Sequence, residues 1–243
     1  MTRYSNFGLT LKKAGKWSIV TSLAALTLVG CSQAQPPEAR VESSKPAQAT
    51  LVSAKQNSQS LENLQKAYNG ESNAHVMYLA FADKAESEGY QDVANLFKAV
   101  ARAEEIHRDN HAEVIKAMGA TPENKITTPQ VNSTADNLEK AVGGNLSNAI
   151  KGESYERDSM YPEFIEQAQA ENNSAALKTF ELALAAETQH ADLFSKVNQD
   201  LDNRREASNS YFVCTISGET FDRQPEAEAC PQNPNGESLE QVI

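Results

Sequence analysis

Glu104-Glu105-Ile106-His107 and Glu187-Thr188-Gln189-His190 are two copies of one pattern, Glu-x-x-His, in a chain of 243 residues. Each copy lies in a long stretch whose apolar residues recur at three- and four-residue spacing, the period of an α-helix with one buried face. Around the first copy the stripe is Val93, Phe97, Val100, Glu104, His107, His111, Val114 and Met118. Around the second it is Leu177, Phe180, Leu184, Glu187, His190, Phe194, Val197 and Leu201. Residues three apart share a helix face, so each carboxylate and its imidazole point the same way.

Working outward, each copy is preceded by another helical stretch with a glutamate on its apolar stripe. Glu71 lies among Leu64, Ala67, Tyr68, Ala74, Tyr78 and Phe81. Glu153 lies among Leu146, Ile150, Glu156, Met160, Phe164 and Ala168. The patterns predict helices over 61–88, 91–118, 146–171 and 174–201, the first capped by Ser60 and the first two stopped by Gly89 and Gly119. Ser133-Thr134 predicts a short helical segment, broken by Gly143-Gly144. Pro162 predicts a kink or bulge in the third helix. The fold class is all-α, a four-helix bundle over residues 60–205.

A lone carboxylate on an apolar stripe faces a large desolvation cost or stays protonated. Glu71, Glu104, Glu153 and Glu187 together balance two divalent cations. One glutamate from each of two helices and a Glu-x-x-His from each of the other two form the ligand set of a carboxylate-bridged dimetal site. The spacing lets Glu104 and Glu187 bridge, His107 and His190 each bind one metal, and Glu71 and Glu153 each close off one metal. Hard oxygen donors with one imidazole per metal suit iron or manganese better than zinc. The two halves read as an internal repeat, with Gly-Glu-Ser at 70–72 and at 152–154. Glu156 breaks the symmetry, because its counterpart in the first half is Ala74.

Gly70-Glu71-Ser72, Glu104-x-x-His107, Gly152-Glu153-x-x-Glu156, Met160-Tyr161-Pro162-x-Phe164 and Glu187-x-x-His190 together resemble the rubrerythrin family of the ferritin-like superfamily. The resemblance covers about residues 60–205, and the extra Glu156 is its specific mark. It implies two non-haem irons, with Glu104 and Glu187 bridging and Glu71 and Glu153 terminal. It makes Glu156 and His107 alternative ligands of one iron as the redox state changes. It also matches Tyr78 and Tyr161 to tyrosines around the family's iron ligands, so Glu156, Tyr78 and Tyr161 are the candidate catalytic groups. Hydrogen peroxide is the implied substrate and a homodimer the implied assembly. Manganese or a mixed metal pair, and a ferroxidase or iron-sequestering role, are the alternatives. The segment around Gly143-Gly144 looks like an insertion relative to the family. His111 lies two turns past Glu104, about 10 Å by helix rise. It and His75 are expected to be structural or partly exposed.

Residues 206–243 resemble the rubredoxin-like tail of the same family, which holds one iron between two Cys-x-x-Cys pairs. Here Cys214 and Cys230 remain, while Ser217 and Asn233 stand in the second positions. Two thiolates cannot complete a tetrahedral sulfur site, so no rubredoxin iron is expected. In an oxidising compartment the surviving pair, brought together by the tail's resemblance, is a candidate Cys214–Cys230 disulfide. Electrons must then come from an external donor.

The N-terminus places the chain in such a compartment. Arg3, Lys12, Lys13 and Lys16 precede an uncharged, mostly apolar run over 17–29. That run is shorter than the roughly 20 residues of a spanning helix and fits a secretory signal peptide over 1–30. Leu28-Val29-Gly30-Cys31 resembles a bacterial lipoprotein box, with Cys31 as the lipidated residue and Ser32 favouring the outer membrane. Residues 31–59, rich in Ser, Gln, Ala and Pro, read as a flexible tether. The expectation is an exported, periplasmic, lipid-anchored protein. The net charge of −11 argues against a nucleic-acid partner.

Overall fold

Four long helical stretches carry the chain between residues 59 and 199. The computed structural model describes residues 58–137, 143–205, 208–226, 229–230 and 238–242. The proposed signal peptide, Cys31, the tether up to residue 57 and Asn233 lie outside the described residues. Among the described residues no helix is long and apolar enough to cross a membrane.

Helix α1 spans Gln59–Ser87 and α2 spans Gln91–Ala117. The cap of α1 is Ser58 rather than Ser60, because the Ser58 side chain accepts the backbone N–H of Leu61. Gly89 and Gly119 terminate the two helices at positive φ. The third stretch is α3 (Asn145–Tyr155), a π-helical turn (Glu156–Met160) and α4 (Tyr161–Ala170). The expected interruption thus falls directly after the acids. Tyr161 N–H reaches back five residues to the Glu156 carbonyl, and Pro162 sits in the first turn of α4, the part of a helix that best tolerates a residue without an N–H. Helix α5 spans Ser174–Gln199, with Asn173 as its side-chain cap. Of the helical segment expected from Ser133-Thr134, residues 133–137 are irregular and 138–142 lie outside the described residues. There the Thr134 N–H is taken by Glu88 and the Gly144 N–H by Asp136. A Cβ on Gly144 would lie 2.4 Å from the Ala135 backbone.

The core divides in two. One apolar cluster gathers Tyr78, Phe81, Phe97, Val100, Leu146 and Phe194. The other gathers Leu64, Ile115, Tyr161, Phe164, Phe180 and Ala183. Along three of the four stretches the stripe glutamate falls between the two: Glu71 after Ala67 and before Tyr78, Glu153 after Ala149 and before Tyr161, Glu187 after Ala183 and before Phe194; Glu104 lies at the edge of the first cluster, between Ala103 and Ile106. A buried polar layer therefore crosses the bundle at mid-height.

The tail forms a small antiparallel sheet in the order β2-β1-β3, with β1 Tyr211–Cys214, β2 Thr220–Phe221 and β3 Leu239–Val242. It packs on α2 and α5. Buried Asp92 anchors it, accepting from Arg204 at 2.8 Å, Asn209 at 2.9 Å and the Tyr211 hydroxyl at 3.2 Å. Arg102 pairs with Glu240 at 2.9 Å. Cys214 and Cys230 are joined by a disulfide with their Cα atoms 5.5 Å apart, and both are buried.

Candidate metal centre

The mid-height layer is built by the residues whose spacing singled them out. Glu71, Glu104, His107 and Glu187 offer ligand atoms within 4.8 Å of one another, and so do Glu104, Glu153, Glu187 and His190. Glu104 and Glu187 belong to both groups, while each remaining glutamate and histidine belongs to one. All six are buried. One oxygen on each of the four carboxylates (Glu71 Oε2, Glu104 Oε1, Glu153 Oε2 and Glu187 Oε1) is buried without a hydrogen bond of good geometry. Orphaned acceptors of this kind are costly in an apolar surround, and two cations, one in each group, would satisfy all four.

The histidines complete the fit. His107 Nε2 lies 2.9 Å from the Ser217 carbonyl, and His190 Nε2 lies 3.3 Å from the Gly218 carbonyl and 3.1 Å from Thr220 Oγ1. A carbonyl only accepts, so each Nε2 carries the proton. Each Nδ1 then faces the carboxylates: His107 Nδ1 is 3.1 Å from Glu104 and 3.0 Å from Glu187, and His190 Nδ1 is 2.8 Å from Glu187 and 3.4 Å from Glu153. This is the arrangement of a ligating imidazole whose far N–H is fixed by a second partner. Of these tail residues the sequence singled out only Ser217, as the replacement of a cysteine and not as a partner of His107.

Without metal, protons occupy this space. Burial pushes the carboxyls of Glu71 and Glu153 well above the usual range, and the charges of Glu104 and Glu187 push the same way. Burial alone would lower both histidines, but the facing carboxylates overcome it. His107 is raised well above its usual value, with Glu187 the largest such contributor, and His190 is raised to about 10. Glu187 is held low despite burial, by His107 first and then His190.

Each terminal glutamate has its own tyrosine. The Tyr161 hydroxyl donates to Glu71 and the Tyr78 hydroxyl donates to Glu153. Burial, then the adjacent carboxylate, raises both phenols well above their usual value, so both stay protonated as donors. Glu156, expected among the ligands, stands outside both four-residue groups. It sits partly buried in the π-turn. Burial raises its carboxyl, followed by the charge of Glu71 ahead of Glu187 and Glu153. His111, expected as structural or partly exposed, is fully buried and lies 3.1 Å from the Tyr161 hydroxyl, 3.0 Å from Thr179 and 4.0 Å from Glu71. The helix-rise distance to Glu104 concealed this, because His111 approaches the site through Tyr161 on another helix. His75 is partly buried and donates to the Ala101 carbonyl at 2.7 Å.

Comparison with known proteins agrees with this geometry. The rubrerythrin family model matches residues 62–198. Rubrerythrin-2 of Clostridium acetobutylicum is 32% identical over 177 residues, covering 72% of this chain and 91% of that protein. Nigerythrin of Nitratidesulfovibrio vulgaris is 36% identical over 171 residues, covering 70% and 80% respectively. A solved structure of nigerythrin in a mixed-valent state superposes with a TM-score of 0.65 at 29% identity, covering 76% of this chain and 90% of that one. Bacterioferritin of Desulfovibrio desulfuricans, at 19% identity and a TM-score of 0.53 over 64% of this chain and 85% of that one, shares the fold.

Proposed function

The chain belongs to the rubrerythrin family of diiron proteins, and from that premise we propose that it reduces hydrogen peroxide to water with electrons from an external donor. The observation that carries the reading is the set of four orphaned carboxylate oxygens facing two Nδ1 atoms in a buried layer. Two ferrous ions, if held by these residues, would supply the two electrons and the Lewis acidity that the reduction needs. Glu104 and Glu187, which belong to both ligand groups, would be shared by the two ions. Glu71 with His107 and Glu153 with His190 would complete the two positions, and iron fits this donor set, with manganese or a mixed pair as the alternative. Tyr161 and Tyr78 hold the terminal carboxylates by O–H donation. Glu156, on the Glu71 side, is the candidate additional ligand and proton carrier. The surrounding apolar clusters keep bulk water out.

The chain contains Cys214 and Cys230 bonded to each other, which supports a tail without a rubredoxin iron and an electron donor outside the chain. The purified protein is expected to bind two irons and, once reduced, to be oxidised by one equivalent of peroxide. A reduced, fully loaded protein that is inert to peroxide would remove this reading. That same lack of an internal relay favours a second one, a ferroxidase or iron-sequestering protein, which predicts preference for oxygen and iron uptake beyond two per chain. A homodimer is the proposed assembly. Export and lipid anchoring through Cys31 are proposed from the sequence of residues 1–31. Replacing Cys31 with serine should then move the protein from the membrane to the soluble fraction.

A further inference from the structure

The two halves of the site repeat in their ligands but not in what stands behind their tyrosines. Tyr78 packs among rings, with Phe97 at 5.8 Å, Phe194 at 5.5 Å and Phe81 at 6.2 Å between centroids, and among the described residues its hydroxyl is hydrogen-bonded to Glu153 alone. Tyr161 also has rings beside it, Phe180 and Phe164, but its oxygen meets a polar group, His111 Nε2 at 3.1 Å. His111 Nδ1 in turn lies 3.0 Å from Thr179 Oγ1. Thr179 lines an open groove with Asn110, Val114, Lys178 and Ile216.

The direction of this chain follows from its ends. Tyr161 spends its single proton on Glu71, so its oxygen can only accept from His111. Nε2 of His111 therefore carries the proton. With its proton on Nε2, the neutral ring leaves Nδ1 free to accept from Thr179 Oγ1. One tautomer satisfies every link.

We propose that His111, fixed by Thr179, is a positioning residue that holds the Tyr161 hydroxyl on Glu71, and that it serves only the Glu71–His107 metal position. This rests on the dimetal reading above. The partner position, closed by Glu153 and His190, is set by the aromatic cage around Tyr78 and does not depend on His111. The metals themselves are distinguished by what lies behind their tyrosines.

Co(II) titration of the full-length protein tests this, followed by calorimetry and visible absorption. H111L should weaken one of the two Co(II) ions by about tenfold or more and leave the other unchanged, in line with the usual cost of losing an outer hydrogen bond to a ligand. Y161F should weaken the same ion. Because both act through one hydroxyl, the H111L/Y161F pair should be no worse than Y161F alone, whereas H111L and Y78F should add. H111Q, whose amide can donate to Tyr161 and accept from Thr179, should restore near-native binding. If H111L fails to fold, T179V and H111Q carry the same comparison. Nitrogen-15 histidine spectra of the metal-free wild type, with four histidines in the chain, should show His111 as the neutral Nε2–H tautomer. A Nδ1–H tautomer, equal weakening of both ions by H111L, or additivity of H111L with Y161F would overturn the proposal. If the wild type binds fewer than two Co(II) ions, the dimetal reading fails, and the tautomer then decides this proposal alone.

Discussion

At Gly218 the tail touches the bundle more closely than any side chain would permit. Its φ is +79°, and an added Cβ would lie 2.3 Å from His107 Nε2. Gly218→Ala is therefore expected to cost about 2 kcal/mol, from a left-handed backbone and overpacking together, and to weaken metal binding at His107. Gly70→Ala, next to Glu71, has open space around the new Cβ and lies inside α1. It should stabilise by about 0.5–1 kcal/mol. Chemical denaturation of the two variants checks both signs, and a destabilising Gly70→Ala would show that the α1 backbone at the site is strained. The six ligand candidates were legible in the sequence because an ionisable residue on an apolar stripe demands a partner. Ser217, Gly218, Thr220 and Thr179 were not. They act through backbone carbonyls, a missing Cβ or a short hydroxyl, brought in by docking between distant segments, and none of these leaves a periodic trace.

Among the elements, the π-turn at Glu156–Met160 decides how α3 and α4 face the layer. It adds one residue to the helical path between Glu153 and Tyr161, and one residue is about 100° of rotation. Deleting Ser159, which is exposed within the turn, should restore plain α-helix and turn Tyr161 away from Glu71. Circular dichroism should then report unchanged helix content while metal affinity falls by about tenfold or more; unchanged affinity would mean that the turn is not what aims Tyr161. The four helices were readable from periodicity, and two of their ends from Gly89 and Gly119. The π-turn was foreseen only as an interruption near Pro162, since a proline marks where the ladder cannot continue and not how the chain compensates. The irregular 133–137 segment was misread because Ser133-Thr134 looks like a helix cap. In the fold Thr134 instead binds Glu88, and Ser133 binds Asn145 and Ala135.

For the whole molecule, the divided core ties stability to metal and to pH. In the metal-free protein Glu71, Glu153 and Glu156 have carboxyls raised above 4.5, and His190 is raised from 6.5 to about 10. A raised pKa contributes stability below the unfolded value and loses it as pH climbs toward the folded one. All four act in the same direction, as does His107, and together they outweigh His111, whose lowered value acts the other way up to about 6.5. The melting temperature of metal-free protein should fall from pH 5 to pH 8. Metal replaces those protons, so the loaded protein should lose little over the same range, and binding should release protons to the buffer. At a free metal concentration of 100 Kd each site adds about 2.7 kcal/mol. A metal-free melting temperature that rises over this range would contradict the buried-proton account.

The tail that covers both histidines also governs how long an ion stays. Ser217, Gly218 and Thr220 lie over His107 and His190, and the Cys214–Cys230 bond ties that loop into its own sheet. From this end of the site, an ion departs only when the loop lifts, so residence time is set by an opening motion of the tail as well as by ligand strength. Reduction of the disulfide should shorten it, visible as faster loss of metal to an external chelator at unchanged equilibrium stoichiometry. Slow exchange of this kind would let a protein loaded once remain loaded where iron is scarce.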